Sequence, residues 1–127
     1  MWEIEKYKKG RRLYGGFYFD KARNIRVYLA YRWHREIYRC GESTVSDALR
    51  KKVACWAIDC ETLQLAKIKG VQFVGVKLKD DDSLFLAPIE AFYDPKNIKI
   101  LNYSNRGGSH QRYLPLSQFR TLLKMKL

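Results

Sequence analysis

Between residues 6 and 39, cationic and aromatic side chains interleave: Lys6, Lys8, Lys9, Arg11, Arg12, Lys21, Arg23, Arg26, Arg32, Arg35 and Arg39 run among Tyr7, Tyr14, Phe17, Tyr18, Phe19, Tyr28, Tyr31, Trp33 and Tyr38. Ammonium and guanidinium groups attract phosphates, and flat rings can stack on bases, so the mixture suits a polyanion. Lys8, Lys9, Arg11, Arg12, Arg23, Arg26, Arg32 and Arg35 are the expected phosphate contacts. Tyr14, Tyr28 and Trp33 are the expected stacking or groove contacts. A second contact patch is expected in the loop 105–112, where Arg106 and Arg112 bracket Gly107-Gly108 and His110 can donate to a phosphate or a base edge. Glycine amides approach anions closely, but the loop lacks the lysine context of a nucleotide P-loop.

Other chemistries fit less well. Cys40, Cys55 and Cys60 and the two histidines, His34 and His110, show no paired zinc-ligand spacing, so no metal and no cofactor are expected. The run Asp80-Asp81-Asp82 lacks the spacing of a calcium loop and reads as a solvated hairpin turn. With only two histidines, no nucleophile–histidine–acid set can be assembled from spacing.

Asp59, Glu61 and Lys77 are the one acid and lysine set expected near a sheet edge, as metal-dependent phosphodiester cleavage would need. The strand 71–79 and the strand after it loosely resemble the core of the PD-(D/E)XK nuclease family. That family's acid-x-Lys motif would fall on Gly75-Val76-Lys77, with a glycine in the carboxylate position. The resemblance implies a nuclease-like scaffold, degenerate at its acid. It makes a metal-dependent nuclease the first alternative, with cleavage resting on Asp59. A protein-binding inhibitor or interaction module with an acidic partner is the second, its rings forming the interface.

Charge supports the polyanion reading. The chain of 127 residues carries 25 Lys and Arg against 13 Asp and Glu, a formal net charge of +12. Residues 1–42 hold 11 basic and 5 acidic groups, so half the excess lies where the rings cluster. Apolar residues make up 46 %, enough for a folded core. No apolar run is long enough to span a bilayer, and Glu3 and Glu5 interrupt any secretory signal. An odd cysteine count fits a reducing compartment. The expectation is a small, cytoplasmic, non-enzymatic protein that binds DNA or RNA in an accessory or regulatory task, with no membrane partner. Its size and charge suit a phage, plasmid or other mobile genetic element.

These residues need a scaffold, and local pattern predicts one. Residues 1–10 read as a flexible basic arm. Strands are expected over 12–19 and 27–34, joined by the hairpin turn Asp20-Lys21-Ala22-Arg23-Asn24, with Gly15-Gly16 a bulge or close-approach point; a helix across 25–38 is the competing reading of the second, since Tyr28, Tyr31 and Arg35 also fit a helical spacing. Period two places Val27, Leu29, Tyr31 and Trp33 on one face, and Tyr28, Ala30, Arg32 and His34 on a basic, exposed one. Thr44 and Asp47 resemble a capping box for a helix over 45–52. The apolar run 53–58 reads as a buried strand, followed by a helix over 60–69 capped by Asp59 and stopped by Gly70. Residues 71–78 and 84–88 form a hairpin, 89–93 a helical turn, 98–103 and 112–116 strands, and 117–126 a terminal helix. The predicted class is α+β: one domain over 1–127, a mostly antiparallel sheet with two or three short helices. An unpaired sheet edge would serve for a homodimer.

Overall fold

The computed structural model describes residues 2–40, 53–81, 83–94, 99–101 and 111–121. They form a single, mostly β domain of two sheets with one α-helix and three short 3-10 turns among the described residues. The first sheet contains β1 (Glu3–Lys9), β2 (Arg12–Asp20), β3 (Ile25–Arg32), β6 (Phe73–Leu78), β7 (Leu84–Pro88) and β10 (Arg120–Thr121), in the order β1-β2-β3-β6-β7-β10. The second contains β4 (Tyr38–Cys40), β5 (Val53–Asp59), β8 (Lys99–Leu101) and β9 (Gln111–Pro115), in the order β4-β5-β9-β8.

The β2–β3 hairpin forms as its turn residues dictate, with Asp20 opposite Ile25 and Asn24 at φ 52°. Asn tolerates the left-handed region better than most residues. Helix α1 (Cys60–Ile68) begins where Asp59 accepts the Thr62 backbone N–H at 3.0 Å. It ends at Gly70, whose φ of 72° suits a residue without a Cβ. β6 and β7 pair antiparallel as expected, Phe73 opposite Pro88 and Lys77 opposite Leu84.

Trp56 and Ile58 of β5 and Leu114 of β9 meet Phe17, Tyr28, Ala30, Val74, Val76, Leu78 and Ala87 of the first sheet in one core, which Leu63 and Ala66 of α1 close. The opposite face of the first sheet is also covered: Tyr18, Val27, Leu29, Leu84 and Leu86 form a second buried cluster. Burial of each Val, Leu, Ile or Phe among them stabilises the fold by about 1.5–3 kcal/mol.

Three expectations are corrected. Residues 3–9 are an edge strand and not an arm, paired with β2 from Glu3–Phe19 to Lys9–Arg12. β3 has no exposed basic face along its length, because it lies inside the sheet and both its faces are covered; Tyr28 is 2 % exposed. β3 pairs with β6 in parallel, Val27 beside Phe73 and Arg32 beside Leu78, so β4 and β5 of the second sheet and helix α1 lie within the connection between two neighbouring strands. The terminal helix begins instead as a 3-10 turn at Leu116–Gln118 followed by β10, and Phe119 is buried at that junction. The helix expected over 45–52 lies outside the described residues, as do the loop 104–109 and residues 122–127.

Candidate nucleic-acid interface

The β2–β3 register sorts the cations of the first forty positions into two groups. Gly15 is opposite Ala30 and Asp20 opposite Ile25, so residues 8–14 and 31–35 share one end of the sheet, and residues 20–26 lie at the other. The nine residues of β2 separate the ends by roughly 25 Å, at about 3.3 Å per residue.

At the 20–26 end the cations are engaged. Lys21 lies 3.7 Å from Glu3, Arg23 lies 3.7 Å from Asp20, and Lys69 pairs with Glu5 at 3.2 Å. Arg26 donates to the Lys69 carbonyl at 2.9 Å, and its guanidinium lies 4.5 Å from the Phe19 ring centre. A cleft of about 330 Å³ opens here, with Glu3, Glu5, Phe17, Phe19, Arg26 and Lys69 along its walls. Its charges largely answer one another.

The opposite end is different. Lys8, Arg11, Arg12 and Arg35 are exposed and Arg32 half-buried. None of the five makes an ion pair among the described residues. Tyr14 is the extra residue of a β-bulge, since Tyr7 is opposite Gly15 and Lys8 opposite Leu13. A bulge re-aims the side chain that it carries. Here the Tyr14 ring lies 5.3 Å from both Lys9 Nζ and the Arg12 guanidinium. Trp33 follows β3 directly and is 37 % exposed, with Arg35 at 5.4 Å and Lys79 at 5.5 Å from its ring. The main chain after Trp33 rests on the β6–β7 turn, where His34 N–H donates to Asp80 at 3.0 Å.

Lys9 departs from its expected role. It donates to Asp59 at 2.8 Å and lies 3.9 Å from Glu61. Asp59 also accepts the Thr62 hydroxyl at 2.7 Å, and that hydroxyl hydrogen-bonds Tyr7 at 3.3 Å. Burial would raise the Asp59 pKa, but the hydrogen bonds from Lys9 and Thr62 outweigh it and hold the carboxyl below its ordinary value. Burial likewise opposes the charge on Lys9, yet Asp59 keeps its pKa above the ordinary range. Lys9 is thus committed to a carboxylate of its own chain.

Tyr28 cannot serve as a stacking surface. Its ring lies in the core, 4.9 Å from Phe17 and 5.9 Å from Tyr7, and a Cβ on Gly15 would overlap its hydroxyl. Burial drives its phenol pKa far above the ordinary value. Arg112 stands on β9 in the second sheet, donating to the Phe92 carbonyl at 3.2 Å with its guanidinium 4.4 Å from the Tyr93 ring. Lys67 approaches that ring to 3.7 Å. Arg106 and His110 lie outside the described residues. Of the predicted residues, the structure brings together Lys8, Arg11, Arg12, Tyr14, Arg32, Trp33 and Arg35; Arg23 and Arg26 lie at the far end.

Lys79 and Asp80 were missing from the sequence-based set. Lys79 reaches Trp33 because β6 runs parallel to β3, and its N–H donates to the Arg32 carbonyl at 2.9 Å. No local pattern announces that pairing.

The nuclease triplet does not assemble. Asp59 caps α1 and holds Lys9, while Lys77 alternates with Val76 and Leu78, which point into the core between the sheets. Lys77 therefore stands on the outer face. A Cβ on Gly75 would overlap the Phe85 carbonyl oxygen, so that position has no room for a carboxylate. Among the described residues no three His, Cys, Asp or Glu side chains gather as a metal site, and no helix is long and apolar enough to cross a membrane.

Comparison with protein-family models, curated proteins and solved structures found no match to this chain.

Proposed function

We propose that the chain binds nucleic acid through the end of the first sheet formed by the β1–β2 turn and the segment after β3. The observation that carries this reading is the asymmetry of ion pairing along the strands. Carboxylates engage Lys21 and Arg23 at one end; at the other Lys9 is held by Asp59, but Lys8, Arg11, Arg12, Arg32 and Arg35 have no carboxylate partner among the described residues. Unpaired cations at one edge attract phosphates and release counterions when they bind them. Tyr14 and Trp33 stand among these cations and add aromatic surface to the same end. In this reading the protein acts by binding, as an accessory factor.

Neutralising five phosphates predicts a slope of log K against log salt of about −3.5 to −4.5. The test is a salt titration of binding to labelled oligonucleotides. The double variant Arg11→Glu, Arg12→Glu should weaken binding at least tenfold at moderate salt. It should also flatten the slope by about 1.5, because two phosphates are no longer neutralised. Unchanged affinity in a folded double variant would refute the assignment.

A further inference from the structure

Resting on that reading, we infer that the ligand is a single strand, its backbone crossing Lys8, Arg11, Arg12 and Arg32 and an unpaired base lying on Trp33. Two independent observations lead there.

The first is access to ring faces. Lys67 and Arg112 approach Tyr93 to 3.7 and 4.4 Å, and Arg26 approaches Phe19 to 4.5 Å. These cations lie close against the rings. At Tyr14 and Trp33 the cations stand farther from the ring centres, at 5.3–5.5 Å. Trp33 stays open to solvent beside its two cations, the most exposed tryptophan among the described residues at 37 %. A base can use that surface only when it is out of a duplex stack.

The second is the distribution of sign. The β1–β2 turn carries Lys8, Arg11 and Arg12, whereas Trp33 has Arg35 and Lys79 at its ring and is followed by His34, whose N–H meets exposed Asp80 of the turn that also carries exposed Asp81. The His34 N–H holds Asp80 one residue from Trp33, at 3.0 Å, and within the turn Asp81 accepts the Ser83 N–H at 3.0 Å. A duplex presents phosphates along both of its edges and would bring one backbone against these carboxylates. A single strand can place its phosphates on the turn and its neutral base beside the acids. Carboxylates also accept hydrogen bonds from exocyclic amino groups, as those of cytosine.

The experiment is fluorescence anisotropy at fixed salt with a labelled single-stranded DNA, the same sequence as RNA, and the DNA duplex. Wild type should bind at least one of the two strands tenfold or more tighter than the duplex. Trp33→Ala and Trp33→Leu, each checked for folding by circular dichroism, should lose roughly tenfold on the preferred strand and little on the duplex. Asp80→Asn with Asp81→Asn should raise duplex affinity and narrow the gap; each amide keeps one oxygen to accept its backbone N–H. Equal affinity for strand and duplex, or strand binding indifferent to both Trp33 variants, overturns the single-strand assignment while Arg11→Glu, Arg12→Glu still weakens binding. Absence of binding to all three probes at low salt overturns the underlying reading together with it.

Discussion

Lys9 Nζ sits 2.8 Å from Asp59 Oδ2, so a cation of the edge strand is bound to the residue that caps the helix fifty positions later. One ion pair thereby joins the two sheets, and Thr62 and Tyr7 extend it. Asp59→Ala removes the cap and the ion partner together and should cost about 2–3 kcal/mol, read from urea unfolding. Asp59→Asn keeps a capping oxygen and should cost about 1 kcal/mol. The signs of the pKa shifts set the pH window. The Asp59 pKa is lowered from 3.8, so its contribution is complete above the ordinary carboxylate range and vanishes as pH falls through the folded value. The Lys9 pKa is raised from 10.5, so its contribution is lost as pH climbs beyond that. Wild type should lose stability relative to Asp59→Asn as pH drops from about 5 to 2. Parallel curves would show that the pair contributes nothing.

The two ends of the first sheet should respond differently to the same charge reversal. Lys21→Glu with Arg23→Glu removes the same formal charge as Arg11→Glu with Arg12→Glu. Its targets already face Glu3 and Asp20, at 3.7 Å each. Nucleic-acid affinity should fall at least tenfold in the Arg11 and Arg12 variant and less than threefold in the other. Equal losses would mean that net charge alone drives binding.

Tyr28 separates core from contact. Tyr28→Ala opens a cavity among Phe17, Tyr7 and Ala30 and should destabilise by about 3–5 kcal/mol. Tyr28→Phe keeps the ring and should leave oligonucleotide affinity unchanged in the anisotropy assay. A drop in affinity with intact stability would return the ring to the interface.

Gly75 should tolerate no side chain. Gly75→Ala forces the Phe85 carbonyl and β7 away from β6 and should cost about 3 kcal/mol or more. Gly75→Asp, which restores an acid-x-Lys order with Lys77, should be worse still and show no Mg²⁺-dependent cleavage in a plasmid nicking assay. A stable, cleaving Gly75→Asp protein would revive the nuclease scaffold.

Local chemistry was legible in the sequence wherever a short segment decides its own shape. The turn after Asp20, the Asp59 cap, the Gly70 stop and the β6–β7 hairpin all follow from residues within a few positions of one another. Long-range neighbours were not legible. The edge strand Glu3–Lys9 resembles a solvated arm because an edge strand's side chains are themselves mostly exposed. Tyr28 alternates with apolar residues as an outward residue would, and only the two-sided burial of an inner strand turns it inward. The split of the cations between two ends depends on strand register, and the pairing of Lys9 with Asp59 on how the sheets pack. Neither is written in composition.

The parallel seam between β3 and β6 has a consequence during synthesis. A nascent chain can zip its first three strands as soon as they leave the ribosome, but the rim that β3 presents stays unzipped until Phe73–Leu78 emerges. Products terminated before that point would carry a naked, strongly apolar border of Val27, Leu29 and Ala30, primed to stick to a neighbour. The 127-residue chain should therefore stay dispersed where fragments ending near residue 70 precipitate.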